Sequence, residues 1–156
     1  MDYPMGSIWR KWDFHIHSPL SLLNNQFPKL HDGSPDWEAY ALRLSELDVS
    51  AIGVTDYFTI DGYKKVRELK TAGKLGIIEL VLPNIEFRLS RIVSSRRDGR
   101  EVRLNFHVIF SDELAPEVIE EHFLHDLNFY YQGDPQSADE KRKLKVSNIC
   151  ARIMGT

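Results

Sequence analysis

The chain has 156 residues, 42% of them hydrophobic and 28% charged, with a formal net charge of −3. That suffices for one domain with its own core, and it argues against a chain held to nucleic acid by bulk charge alone. A single cysteine, Cys150, excludes an internal disulfide framework and a cysteine-based zinc site. No window approaches the ~20 apolar residues of a membrane span, and residues 1–6 carry no basic-then-apolar leader, so a cytoplasmic protein is expected.

Strand and helix signals alternate along the chain. Lys11–Ile16 reads as a first strand and 18–35 as a long polar loop. Ser34-Pro35 then supplies a helix N-cap and a first-turn proline, with Trp37, Tyr40, Ala41, Leu44 and Leu47 at helical spacing after it. Ala51–Thr55 is a short apolar strand. A second helix runs from Asp61 to Ala72, with Tyr63, Val66 and Leu69 on one face and Gly73 as its stop. Ile77–Leu82 and Ile85–Ile92 read as two consecutive strands and Glu101–Phe110 as another, joined through an Asp98-Gly99 hairpin turn. Pro116–Leu127 is a third helix with Val118, Ile119, Phe123 and Leu127 inward, beside His122. Residues 133–138 form a loop and 140–154 a terminal helix. Trp9, Trp12 and Trp37 are expected to pack the bottom and flank of the core. Such alternation predicts an α/β fold of mostly parallel strands with crossover helices, whose functional groups gather at the carboxyl ends of the strands.

The polar residues follow that rule. In Trp12-Asp13-Phe14-His15-Ile16-His17-Ser18, a spacing of two puts Asp13, His15 and His17 on one face of a strand, with Phe14 and Ile16 on the apolar side. Two converging imidazoles indicate a metal ligand pair; the alternative is a half-buried strand with two satisfied histidines. Asp56 follows the second strand, Glu86 ends the third run, and His107 lies within the last strand. Asp56 reads either as a ligand or as the cap of the turn after it. Ser18, Ser21 and Thr55 are candidates for hydrogen bonds near the site. In the loop after His17, Asn24, Asn25, His31 and Asp32 are further polar residues without a compelling position.

Asp13-Phe14-His15-Ile16-His17-Ser18 resembles the first motif of the PHP (polymerase and histidinol phosphatase) domain. Ile52–Gly62 resembles its second motif, Leu82–Phe87 its third and Asn105–Ile109 its fourth. The segments around Thr55–Tyr63 and Asn105–Asp112 are most similar to the N-terminal PHP region of large bacterial ATPases of the TrlF type, associated with anti-phage defence. The resemblance implies a partial or distorted (β/α)7 barrel, one domain over 1–156 that is incomplete at its C-terminus. It also implies one to three divalent ions (zinc, manganese or iron) and hydrolysis of phosphoesters, with DNA or RNA as substrate. Carried over, His15, His17, Glu86 and His107 are the catalytic metal ligands, Glu86 bridging, with Asp56 as a further ligand. Asp13, Tyr57 and Asp61 surround them, Asp13 orienting the histidine pair. Tyr57 stands where the family has a histidine, and the family's last motif, Asp-x-His, has no counterpart after His107. His122 and His125 are spaced as helix residues rather than as ligands. An ATPase domain or partner chain and a homo-oligomer are the expected partners, since a shortened barrel exposes its edges.

One basic concentration stands apart from these motifs: Arg88, Arg91, Arg96, Arg97, Arg100 and Arg103 around the hairpin. Arg96, Arg97 and Arg100 are candidates for a nucleic-acid backbone, which arginine grips bidentately. The alternative is a solvated hairpin with a protected edge. The Lys141-Arg142-Lys143-Lys145 run reads as the polar face of the terminal helix, and no Gly-rich phosphate loop is present.

Overall fold

The structure, a computed structural model, describes residues 9–22, 26–94, 99 and 101–127, with the backbone alone at 89–94 and 101–103. The terminal helix and its loop, Asn24, Asn25, Arg96, Arg97 and Arg100 lie outside the described residues. Among the described residues no helix is long and apolar enough to cross a membrane.

The described part is an α/β fold: β1 (Trp12–Ile16), α1 (Trp37–Ser45), β2 (Ala51–Tyr57), α2 (Asp61–Thr71), β3 (Leu80–Ser94), β4 (Glu101–Ile109) and α3 (Pro116–Ile119). The sheet runs β1-β2-β3-β4 and curls into half a barrel. Its β1–β2 and β2–β3 pairs are parallel, joined through α1 and α2, while β3 and β4 form an antiparallel hairpin. One sheet face carries Ile52, Val54, Val81 and Ile85 and packs with Tyr40, Leu44, Tyr63, Val66 and Leu69 of α1 and α2 into the main core. Strand alternation leaves Thr55, Tyr57, Asn84 and Glu86 for the other face.

Several expectations need correcting. The helix cap is Asp36, which accepts a hydrogen bond from the Ala39 amide at 2.9 Å; Ser34 is instead engaged by Asp32 through both its amide and its hydroxyl. The two runs 77–82 and 85–92 are not separate strands. Ile77 lies in the preceding turn, half exposed, and β3 passes through Pro83 without a break. Pro83 is tolerated there because its carbonyl accepts the Phe110 amide at 3.0 Å just past the end of β4, where the ladder has no further donor to lose. After α3 the chain widens into a π-helical turn, Glu120–Leu124, closed by the His125 amide on the Glu120 carbonyl. The wider turn shifts the buried set to Ile119 and Leu124, with Phe123 and Leu127 packed beside them, and leaves Val118 and His122 exposed. Trp37 flanks the core, edge-on to Tyr40. Trp9 and Trp12 do not: they are 99% and 67% exposed, Trp12 lying beside Phe14 at 5.7 Å on the edge strand β1.

Candidate metal centre

The site begins with an irregularity in β1. Asp13 is in register with Ile52, but Ile16 is in register with Val54, so β1 carries one extra residue between them. Ile52 and Val54 both belong to the core-facing set, which places Ile16 in the core as expected and takes Asp13 out of phase with His15 and His17. The predicted shared face of Asp13, His15 and His17 is therefore broken by the bulge. Asp13 instead turns back to accept the His15 backbone amide at 3.0 Å, which fixes the bulge rather than an imidazole. Phe14 leaves the core for the same reason and lies against Trp12. The bulge presses the Phe14 backbone onto Gly53, where an added Cβ would stand 2.7 Å from the Phe14 carbonyl oxygen; only glycine fits.

The bulge delivers both imidazoles to Glu86. In the sheet register Glu86 sits beside Tyr57 at the end of β2 and opposite His107 on β4. Its side chain is fully buried. Glu86 Oε2 lies 3.4 Å from His15 Nε2 and 3.6 Å from His17 Nε2, and Oε1 lies 3.9 Å from His107 Nε2. The His15 and His107 rings stand edge to face at 4.7 Å and the His15 and His17 rings at 5.1 Å. One donor atom each from His15, Glu86 and His107 falls within a 4.8 Å set.

Hydrogen bonds fix which atoms face inward. The Asn84 amide nitrogen donates to the Phe14 carbonyl and to Thr55 Oγ1, which turns its oxygen toward His107 Nδ1 at 3.3 Å. Thr55 in turn donates to the Phe14 carbonyl. His107 therefore carries its proton on Nδ1 and presents the Nε2 lone pair to the carboxylate. Burial, first, and the neighbouring His15 and His17 hold the His107 pKa below the ordinary imidazole value, against the pull of Glu86. His17 is held by Ser21 Oγ at its Nδ1 and by the Tyr40 hydroxyl, which donates to its carbonyl. Asn105 donates to Glu86 Oε1, whereas Glu86 Oε2 is buried without a hydrogen bond. The His15 and His17 Nε2 atoms and this buried carboxylate oxygen pack favourably with a proton or a cation between them.

The donor set fits a divalent ion. Two ligands about 2.1 Å from a tetrahedral ion are roughly 3.4 Å apart, the spacing seen between His15 and Glu86. Two imidazoles and a carboxylate suit zinc, manganese or iron, and the Nδ1 partner of His107 is the kind of outer contact that holds a ligating histidine in place.

Other predicted residues stand beside this group. Tyr57 stacks on His17 at 5.5 Å and 17°, and its phenol is held above its ordinary pKa, first by burial and then by the Glu86 carboxylate, with Arg88 opposing. Phe58 follows at φ 60°, a strained conformation for a bulky residue, which turns the chain out of β2 and sets Phe58 against Phe87. Asp56 points to the other face of β2 from Tyr57, and both its oxygens accept from Ser18, from the amide at 3.0 Å and the hydroxyl at 2.7 Å. Burial raises its pKa, partly offset by those bonds. Gly62 of α2 lies against this pair; a Cβ there would come within 2.0 Å of Asp56 Oδ2. Asp61 is exposed and pairs with Thr59 and Lys64 rather than with the cluster. His31 and Asp32 belong to a separate surface loop. Asn84, Asn105 and Tyr40 are site residues the sequence reading passed over; the first two stand two positions before Glu86 and His107, on the same strand faces.

No protein-family model matches the chain, and no curated protein or solved structure shows significant similarity to it. The chemistry of the site must be read from its own atoms.

Proposed function

We propose that this chain is a metal-dependent phosphoesterase of PHP type. The observation that carries the reading is Glu86 Oε2, buried, without a hydrogen bond and faced by the Nε2 atoms of His15 and His17. His15, Glu86 and His107 would hold the ion, with His17 as the next donor. A bound divalent ion supplies Lewis-acid activation of a phosphoryl group and of water. The chain's own residues do the rest. Asn84 keeps the His107 tautomer fixed, Asn105 holds the Glu86 carboxylate through Oε1, and Ser21 and Tyr40 aim His17. His15 is about half exposed, so a substrate can reach the donors from its side.

The finer parts of the proposal rest on the motifs at 13–18, 52–62, 82–87 and 105–109: a distorted (β/α)7 barrel continued beyond the described strands, nucleic acid as substrate, and service to an ATPase of the TrlF type. The test is hydrolysis of a phosphodiester and of single-stranded and duplex nucleic acid with added zinc, manganese or iron. Cleavage that is abolished by chelation and by His15→Ala, with the fold retained, supports the reading. Cleavage unchanged in His15→Ala overturns it.

A second reading, a metal-binding module without catalysis, is favoured by one observation. Asp56 is locked to Ser18, and Tyr57 adds a neutral phenol, so neither adds a charged donor to the group. A protein that binds metal through His15 and Glu86 but cleaves no phosphoester would be that module.

A further inference from the structure

We propose that Arg88 is the anion-recognition residue of this site and that Tyr57 is the positioning residue that holds it. The inference rests on the phosphoesterase reading above and extends it to how the substrate's phosphate is gripped. Arg88 lies two residues beyond Glu86 on the same face of β3, opposite Asn105, whose amide holds the Glu86 carboxylate. Its guanidinium lies over the Tyr57 ring, 5.7 Å from the centroid.

The ring is itself fixed. Tyr57 is buried and stacked on His17, which stands edge-on to His15, which stands edge-on to His107. Four rings thus form a continuous row around the Glu86 carboxylate, and Arg88 ends it. The Tyr57 hydroxyl also engages Arg88, alongside Glu86; the guanidinium has further N–H groups, and its planar fork matches a phosphate in two parallel hydrogen bonds. Arg88 is exposed on the side where His15 opens. One phosphoryl group can therefore meet the donor cluster with one oxygen and Arg88 with others. Stacking keeps the long side chain from being ordered only when substrate arrives.

The experiment is titration of inorganic phosphate into the full chain, zinc-loaded and zinc-free, followed by calorimetry, with zinc uptake measured separately. Arg88→Ala should weaken phosphate binding by about 10- to 100-fold, the range for hydrogen bonds to a charged group, while zinc uptake stays at the wild-type level. Arg88→Lys should recover only part of the loss, because a point charge cannot make the paired contact. Tyr57→Phe keeps the ring but loses the hydroxyl's contact with Arg88 and should lose part of the phosphate affinity; Tyr57→Leu should lose more of it without losing zinc. Wild-type protein that binds no phosphate, or Arg88→Ala that binds it as tightly as wild type, overturns the proposal. Tyr57→Leu that binds phosphate as tightly as wild type overturns the positioning role. Wild-type protein that takes up no zinc defeats the metal reading instead, and the zinc arm shows this independently of phosphate.

Discussion

Glu86 on β3 stands directly opposite His107 on β4, and the Asn105 amide, two register positions further along the hairpin and opposite Arg88, holds the carboxylate from behind. The antiparallel hairpin thus brings an acid and an imidazole together from two strands, while the parallel half of the sheet brings His15 and His17 to the same carboxylate. Packed without a cation, the buried carboxylate carries an electrostatic cost.

That cost is measurable. In metal-free protein Glu86→Gln removes a buried charge whose Oε2 makes no hydrogen bond and faces the His15 and His17 imidazoles at 3.4 and 3.6 Å, and should raise stability by about 1–3 kcal/mol. With zinc present the order reverses: wild type gains about 2.7 kcal/mol at a hundredfold excess over its dissociation constant, and the variant gains nothing. Denaturant unfolding with and without zinc reads both. A wild-type midpoint unmoved by zinc contradicts this.

Asn84 would act on a bound ion through His107. Asn84→Ala releases the Nδ1 contact and the tie to the Phe14 carbonyl together. Loss of such an outer contact costs roughly 10- to 100-fold in metal affinity. Competition with a chromophoric chelator would show it, and affinity within twofold of wild type would refute it.

The two tight glycines fail differently on substitution. Gly53→Ala drives a methyl into the Phe14 backbone, which cannot yield, and should cost about 1–3 kcal/mol or more along with the β1 bulge. Gly62→Ala strikes the Ser18–Asp56 pair, so it should also loosen His17 and weaken metal binding. Thermal unfolding and zinc titration of each variant separate the two effects.

Asp56 gives a pH signature of known sign. Its folded pKa lies above the ordinary carboxylate value, chiefly because of burial, so between the two values the native protein binds more protons than the unfolded chain. Its contribution to stability is therefore greatest below the ordinary carboxylate pKa and declines as pH rises through the folded one. Asp56→Asn removes this decline, so its stability relative to wild type should climb from acid toward neutral pH. A constant difference across that range would show that Asp56 does not titrate this way.

Much of the site was readable because alternation in strands is a rigid rule. Glu86 and His107 were placed at strand positions from the apolar runs alone, and the same rule pointed to Asn84 and Asn105, two residues earlier, had it been applied to amides. What escaped was set by tertiary contact. The β1 bulge, which takes Asp13 off the histidine face, depends on Gly53 letting the strands touch. Pro83 inside β3 depends on where β4 ends, and the π-helical turn that exposes His122 breaks the 3.6-residue period from which its burial was inferred. Asp56 was legible in part: period two sets it opposite Tyr57, while its two hydrogen bonds from Ser18 arise from tertiary packing.

The central claim is that His15, Glu86 and His107 hold a divalent ion. Elemental analysis of the purified chain, before and after dialysis against zinc, tests it most directly. The account predicts bound metal in wild type that is lost in both His15→Ala and Glu86→Gln while the circular-dichroism spectrum is kept. A folded wild-type protein that retains no metal, or variants that retain as much as wild type, would contradict it.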